Sequence, residues 1–342
     1  MTRLGEMPDL PPLRYLSAAD VGAAMPPLDE RLALAEITLR GLAGAAELPA
    51  KIAVHPRPDG AFAHAMPAFL PGDPGTAADT SLDRLGMKWV LGFATNVERA
   101  LPAISGTLLL NDPATGLPIG ILDAGPITAQ RTAAVSGVAI RAWAPRTHGR
   151  PQRAALIGAG VQGHSHVPVL GHVLPGVELA IFDRDPVRAS GLAEVARRTD
   201  GIGAARTAPS ARAAVEGADV VVTVASFVPP PQRQVMTGDW LTPDALVVPV
   251  DYATYCSAEV AAGAGLFVVD HRDQFLANRE AGQFDGYPEP MAMIGEALMA
   301  GTTRPAGWVV ATHLGTGLAD VVFGSRILET AAALGLGTIL AR

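Results

Sequence analysis

The chain has 342 residues, 49% of them apolar and 17% charged, with 26 Lys and Arg against 33 Asp and Glu and a single cysteine. That composition describes a well-packed globular protein of one large or two ordinary domains, and it lies outside the range in which chains stay disordered. A net charge of −7 argues against nucleic acid and anionic membranes as partners, and one Cys excludes an internal disulfide or a cysteine-rich metal site. No basic N-terminal segment leads into an apolar run, and no stretch approaches about 18 uninterrupted apolar residues, so the expectation is a cytoplasmic protein with no membrane partner.

In chain order, the first 30 residues are Pro-rich and irregular apart from the start of an amphipathic helix, predicted over 28–42 from Leu28, Leu32, Ala35 and Leu39 at helical spacing. From Lys51 to Asp123 short apolar runs alternate with turns, and strands are expected over 62–69, 87–93, 104–110 and 118–123. The Asn111-Asp-Pro-Ala-Thr-Gly116 segment joins the last two as a hairpin, which implies an antiparallel sheet. An Ala-rich helix follows from Thr128 to Trp143 and stops before Pro145. Beyond it, apolar strands over 153–158, 177–183, 219–225, 245–250 and 265–270 recur with Ala-rich helical stretches between several of them, the rhythm of a parallel sheet with crossover helices. The closing segment, 318–340, is apolar and helical in character.

The strand at 153–158 runs into Gly158-Ala-Gly160-Val161-Gln162-Gly163, followed by a predicted helix over 164–174 and a second strand ending at Asp183. A lone GxGxxG is weak evidence; with a strand before it and a helix and strand after it, the motif reads as a dinucleotide-binding loop. Gly158 permits the turn, Gly160 lets a pyrophosphate approach the backbone, Gly163 lets helix and strand pack closely, and the helix N-terminus offers amide donors. Asp183, 25 residues after Gly158, suits the adenosine ribose hydroxyls and repels a 2′-phosphate, so NAD is favoured over NADP. Arg184 beside it could stack on adenine or meet a phosphate.

Charges inside otherwise apolar segments mark candidate chemistry, because burying a charge without purpose is costly. Lys88 in Gly86-Met-Lys-Trp-Val90, Arg131 in Thr128-Ala-Gln-Arg-Thr132, and Asp251 at the carboxyl end of a predicted parallel strand stand out. Arg131 offers a planar fork for a carboxylate. Lys88, if partly desolvated beside another cation, would exchange protons near neutrality; on the residues alone, Lys88 and Arg131 fit equally well as partners of surface or interface carboxylates. His164 and His166 stand at i and i+2 on a helix, face different directions and have no Cys or acidic cluster to join, so no metal is expected. Cys256 reads as a small buried hydrophobe.

Taken together, His64-Ala-Met-Pro-Ala68, Gly86-Met-Lys-Trp-Val90 with Gly92, Phe93 and Asn96, Leu110-Asn-Asp112, Leu122-Asp123, Thr128-Ala-Gln-Arg-Thr132 and Ile157-Gly-Ala-Gly-Val-Gln-Gly163 resemble, in order and spacing, the ornithine cyclodeaminase and mu-crystallin family. The resemblance implies an α/β protein: a Rossmann-type parallel sheet domain, 128–318, plus an α+β domain with an antiparallel sheet, 1–127 with 319–342, used for dimerisation and substrate binding in a homodimer. It implies that Lys88 transfers protons, that Asp251 is the catalytic acid near the cofactor, and that Arg131 binds the substrate carboxylate. It places Lys51, His64, Met66 and His313 at the substrate, and Val161, Gln162, Thr132, Ala225 and Ser226 with the glycines, Asp183 and Arg184 at the cofactor.

The sequence departs from the family pattern in two places. Lys51 stands where ornithine cyclodeaminase has a carboxylate-binding arginine, with Arg57 as the alternative for that position. His64 stands where a glutamate holds ornithine's distal amine, and a histidine cannot supply that full negative charge; the plainer role for His64 is a strand residue satisfied by backbone or water. His313 lies where a serine is often found near the nicotinamide, as a donor to substrate or as a packing residue. The expected function is reduction of an imine or ketimine next to a carboxylate, or the reverse oxidation of an amino acid, with Lys88 in proton transfer. The alternatives are an amino-acid cyclodeaminase with bound NAD and a non-catalytic NAD(P) or small-ligand binder of the crystallin type.

Overall fold

A computed structural model describes residues 10–57, 60–72, 82–146, 149–150 and 152–342. The chain divides into two compact units, one drawn from Met1–Pro27, Ala45–Thr128 and Gly317–Arg342, the other from Leu28–Gly44 and Ala129–Thr316.

The chain opens with β1 (Leu13–Leu16), α1 (Ala18–Ala23) and α2 (Leu28–Leu42), continues through β2 (Ile52–Val54), β3 (Phe62–Leu70), β4 (Arg84–Gly92), β5 (Ile104–Asn111) and β6 (Pro118–Asp123), and enters α3 (Ala124–Trp143). The parallel-sheet part follows: β7 (Arg153–Ile157), α4 (Val161–Val173), β8 (Val177–Phe182), α5 (Pro186–Arg197), β9 (Ile202–Thr207), α6 (Ala211–Val215), β10 (Val220–Thr223), β11 (Leu246–Pro249), α7 (Ala258–Ala262), β12 (Leu266–Val269), α8 (Arg272–Glu280), β13 (Ala292–Met293), α9 (Ile294–Met299) and β14 (Val309–Thr312). The chain then returns to the first unit with α10 (Gly317–Ala333) and β15 (Thr338–Leu340).

In the first unit seven strands lie in the order β15-β1-β6-β5-β4-β3-β2. Every pair is antiparallel except β1 beside β6. The β5–β6 turn closes as its residues demand: Asp112 Oδ1 accepts from the amides of Ala114 and Thr115 at 2.8 and 3.0 Å, and Gly116 takes φ +73°. Helix α10 lies on the face of β3, β4 and β5. Two glycines make the approach close enough: a Cβ at Gly86 would fall 3.2 Å from Val321 Cγ2, and one at Gly324 would fall 2.1 Å from Leu108 Cδ2.

Two sequence expectations are corrected here. The apolar run 318–340 is not one helix, because it ends at Ala333, and Gly335 and Gly337 at φ +68° and +83° turn the chain into β15. Nor are the first 30 residues irregular before the long helix: β1 pairs on both sides, and Ser17 caps α1 reciprocally with Asp20. Residues 1–9 of that stretch lie outside the described residues.

In the second unit eight parallel strands run in the order β13-β12-β14-β11-β10-β7-β8-β9. Strands β10, β11, β12 and β14 are buried along their whole length, as a sheet covered on both faces requires. The strand order reverses at β7, with β8 and β9 on one side and β10, β11 and β14 on the other. The crevice at the carboxyl ends of β7 and β10 is therefore the topological switch point where open α/β sheets bind ligands. Helix α2 packs in this unit, and Gly295 is glycine because a Cβ there would fall 1.9 Å from the Leu39 carbonyl oxygen. Among the described residues no helix is long and apolar enough to cross a membrane.

Candidate functional site

The first unit contributes a buried ion pair. Opposed positions in β3 and β4 set Met66 across from Lys88 and His64 across from Val90, so His64, Met66, Lys88 and Val90 share one face of the sheet. Lys88 is 1% exposed and its Nζ pairs with Asp320, itself fully buried on α10. Thr128 Oγ1 lies 3.4 Å from Lys88 Nζ and donates to Asp320 Oδ1 at 3.4 Å. Of the two surroundings expected for Lys88, a carboxylate partner and a neighbouring cation, α10 supplies the carboxylate. A lone ammonium at that depth would cost several kcal/mol, so the carboxylate is what allows Lys88 to sit there. Asp320 and Thr128 were missed from the sequence, although Asp320 met the criterion that singled out Lys88, a charge inside the apolar stretch Gly317–Phe323.

His64 is half-buried and stacks on Phe62 at 4.5 Å between ring centroids. Burial, reinforced by the nearby charges of Lys51, His55 and Lys88, pulls its imidazole down to about 4. The ring is thus neutral at physiological pH and offers no charge to an ammonium. Lys51, one residue before β2, is partly buried and close enough to act on His64, whereas Arg57 is exposed and donates to the adjacent Pro56 carbonyl at 3.0 Å.

The second unit contributes the glycine loop. Gly158 takes φ +111°, and a Cβ there would lie 2.7 Å from the Val224 carbonyl oxygen; a Cβ at Gly163 would lie 2.3 Å from the Gly158 carbonyl oxygen. Protein packing alone therefore demands glycine at both. Gly160 differs: it caps α4 with ordinary φ, and a Cβ there would meet nothing within 4 Å. The space over Gly160 is left open at a helix N-terminus whose amides point outward, with exposed Val161 beside it, which fits the pyrophosphate of a dinucleotide. The side-chain oxygen of Gln162 is buried there with no hydrogen-bond partner among the described residues.

Asp183 follows β8 and braces this loop, its Oδ2 accepting from Ala159 N at 2.7 Å and its Oδ1 from Asp185 N at 2.9 Å. A carboxylate has about four acceptor sites, so two remain for a ribose. Arg184 is exposed beside it, and Ser226 is exposed just after β10.

Asp251 follows β11 and is 2% exposed. Its Oδ1 accepts from Thr223 Oγ1 at 2.8 Å and its Oδ2 from Ala225 N at 3.4 Å. These bonds favour the ionised form, but burial outweighs them and pushes the carboxyl up to about 7. Such an acid changes protonation within the physiological range, as a group in proton exchange must.

Arg131 and Thr132 are buried on α3. The Arg131 guanidinium lies against Gly315, where a Cβ would fall 2.4 Å from Nη1. The turn that carries Gly315 is held rigidly: Asp270 Oδ2 accepts from Leu314 N and Gly315 N at 3.0 and 2.8 Å, and Gln274 Nε2 donates to the Gly315 carbonyl at 3.1 Å. His313 opens that turn at the end of β14, one strand over from Asp251 in the sheet. It is 2% exposed, and its charge-bearing ring is disfavoured by burial, by His166 and by Arg131.

Lys51, His64, Met66 and Lys88 thus belong to one unit, and Arg131, Asp251, His313 and the glycine loop to the other. His164 is exposed and His166 buried, and no group of metal-ligating side chains forms among the described residues. Cys256 is buried and its thiol is pushed up to about 12, so it stays neutral. Two cavities in the second unit, of about 300 and 470 Å³, are lined by residues such as Arg153 and Glu178 or His172 and Asp200 and by none of the candidate residues. Volume is a poor guide here; the open position over Gly160 and the buried ionisable groups are the better one.

Comparison with known proteins gives the same grouping. The family model described as "Ornithine cyclodeaminase/mu-crystallin family" matches residues 17–272. The nodulation efficiency protein NfeD of Rhizobium meliloti is 34% identical over 337 residues, covering 96% of this chain and 98% of that protein. The ketimine reductase mu-crystallin of Mus musculus is 30% identical over 238 residues, 68% of each chain. Among solved structures, the Δ1-pyrroline-2-carboxylate reductase of Thermococcus litoralis, in complex with NADH and L-proline, superposes with a TM-score of 0.80 at 24% identity, covering 96% of this chain and 100% of that one. An archaeal alanine dehydrogenase dimer with bound NAD gives 0.81 at 23%, covering 96% and 99%. At those identities the structures establish the shared two-domain fold.

Proposed function

Because the chain belongs to the ornithine cyclodeaminase/mu-crystallin family, we propose that it is an NAD-dependent oxidoreductase that reduces an imine or ketimine next to a carboxylate, or runs the same reaction backwards on an amino acid. The observation that carries this is the glycine loop, where two glycines are explained by packing and the third leaves an open berth at a helix N-terminus. The expected division, 128–318 for the cofactor and 1–127 with 319–342 for substrate and homodimerisation, is kept in this reading except that 28–44 goes with the cofactor part.

The backbone of Gly158–Gly163 and the first turn of α4 would hold the pyrophosphate, and Asp183 the ribose, its charge favouring NAD over NADP. When bound there, reduced nicotinamide would supply the hydride that the imine carbon takes up. Arg131 takes the carboxylate in a forked contact. Lys88, kept in its buried place by Asp320, gives the substrate nitrogen its proton in reduction and recovers it in oxidation, so that C=N plus a hydride and a proton becomes CH–NH. Asp251, poised to ionise near neutrality, orients the nitrogen. Neutral His64 supports a substrate without a second ammonium, which favours reductase over cyclodeaminase.

Incubation with NADH and either a cyclic imino acid or an α-keto acid plus an amine, followed at the reduced-nicotinamide absorbance band, tests this. Steady consumption is expected. Ammonia release with no net change of cofactor would replace the reading with a cyclodeaminase, and tight cofactor binding without turnover of any such substrate would replace it with a binding protein.

A further inference from the structure

Four polar groups in the second unit form a chain that fixes which nitrogen of His313 carries hydrogen. The Gln162 main-chain oxygen lies 2.7 Å from His166 Nδ1, and Ser136 Oγ lies 2.8 Å from both His166 Nε2 and His313 Nε2. A carbonyl can only accept, so Nδ1 of His166 carries the hydrogen. His166 is fully buried, and burial pulls it down to about 4. Its ring is therefore neutral and Nε2 is bare. Ser136 has one hydroxyl hydrogen and gives it to that bare nitrogen. Its oxygen then accepts from Nε2–H of His313. His313 is neutral as well, with His166 and Arg131 nearby opposing its protonation. That leaves His313 Nδ1 with a lone pair and no hydrogen, buried and without a hydrogen-bond partner among the described residues. The chain cannot run in the opposite sense, because the Gln162 carbonyl at its end has nothing to donate.

Two residues beyond His313, the Arg131 guanidinium packs on Gly315, and Asp270 and Gln274 hold the turn between them. The site thus presents a fixed cationic fork and, close enough to act on it electrostatically, a fixed neutral acceptor. A carboxylate with an N–H on the adjacent carbon complements that pair. An α-keto oxygen does not, since it sets lone pair against lone pair.

On the reading that this chain acts on imines next to a carboxylate, we infer that His313 Nδ1 accepts the N–H of the substrate nitrogen in its protonated iminium or amine form, and that the Gln162–His166–Ser136 chain keeps it an acceptor and so selects iminium and amine over ketone. Ser136 and His166 are positioning residues in this scheme.

Pyrrole-2-carboxylate and furan-2-carboxylate share one shape and differ in a ring N–H against a ring oxygen. Calorimetric titration of the NADH complex with each should show the pyrrole binding about tenfold or more tightly. His313→Leu should abolish the preference. Ser136→Ala, which frees the tautomer, should reduce it to less than about threefold, and Ser136→Thr should restore it. Independently of any variant, ¹⁵N spectra of the histidine-labelled wild-type NADH complex should show His313 Nδ1 unprotonated, and it should shift with the pyrrole and not with the furan. Equal affinities in the wild type, a protonated Nδ1, or a preference that survives His313→Leu overturns the inference. If both compounds bind equally while imines are still reduced, only this inference falls; if NADH binds and neither carboxylate does, the proposed function falls with it.

Discussion

Asp251→Asn isolates the cost of holding an acid at the end of β11. Raising that carboxyl from 3.8 to about 7 penalises the ionised form in the folded protein by about 4 kcal/mol, at about 1.36 kcal/mol per decade. Below a pH of about 4 the folded and unfolded chains both carry the proton and the penalty is absent. Between about 4 and 7 the unfolded chain releases its proton first, so wild-type stability falls as pH rises, and above about 7 the loss is complete. Asparagine has the shape of the neutral acid and can still serve the Thr223 hydroxyl and the Ala225 amide. The variant should therefore match the wild type near pH 4 and exceed it by up to about 4 kcal/mol at pH 8, while losing most of its turnover. Urea unfolding of both proteins, followed by tryptophan fluorescence from pH 4 to pH 9, reads the difference directly. A stability difference that does not change with pH would refute the argument, because it would mean that Asp251 ionises in the folded protein as readily as in the unfolded one.

Asp320→Asn should destabilise by about 3–5 kcal/mol by leaving the Lys88 ammonium buried without its counter-charge. The pair Lys88→Met with Asp320→Leu should regain much of that in urea unfolding yet stay inactive, and a double variant no more stable than the single would refute the account of the pair. Gly160→Ala meets no protein atom within 4 Å, so it should leave the melting temperature nearly unchanged while weakening NADH binding by about tenfold or more in a fluorescence titration. Gly163→Ala, whose methyl would strike the Gly158 carbonyl, should lower both, and wild-type affinity in Gly160→Ala would remove the berth assigned to the pyrophosphate.

The sequence was most legible where a local rule decides the structure. The helix over 28–42 and the strand over 118–123 came out at their bounds, and the buried strands β7, β8, β11 and β12 lie within about one residue of their apolar runs, because period and turn residues act over short distances. The glycine loop was readable for the same reason. What stayed hidden depends on distant partners. Strand β14, although flanked by Pro305, Gly307 and Gly315, is not among the strands expected from the sequence, yet it is what sets His313 at the carboxyl ends of the strands beside the end of β11. Asp320 reaches Lys88 across most of the chain, and Ser136 joins two histidines that look unrelated in the sequence. Strand β15 was obscured because the apolar run continues through Gly335 and Gly337, and only their left-handed backbone shows that the helix has ended.

The pairing of Leu13 with Leu340 in neighbouring strands constrains how the polypeptide matures. Residues 129–316 leave the ribosome together and can collapse as they emerge, but the sheet begun by β1 must wait for α10 to cover its apolar face and for β15 to flank its opening strand. Until then β3, β4 and β5 expose their uncovered side, so nascent chains are most open to mispairing and chaperone capture while residues 129–316 are being made, before α10 and β15 emerge.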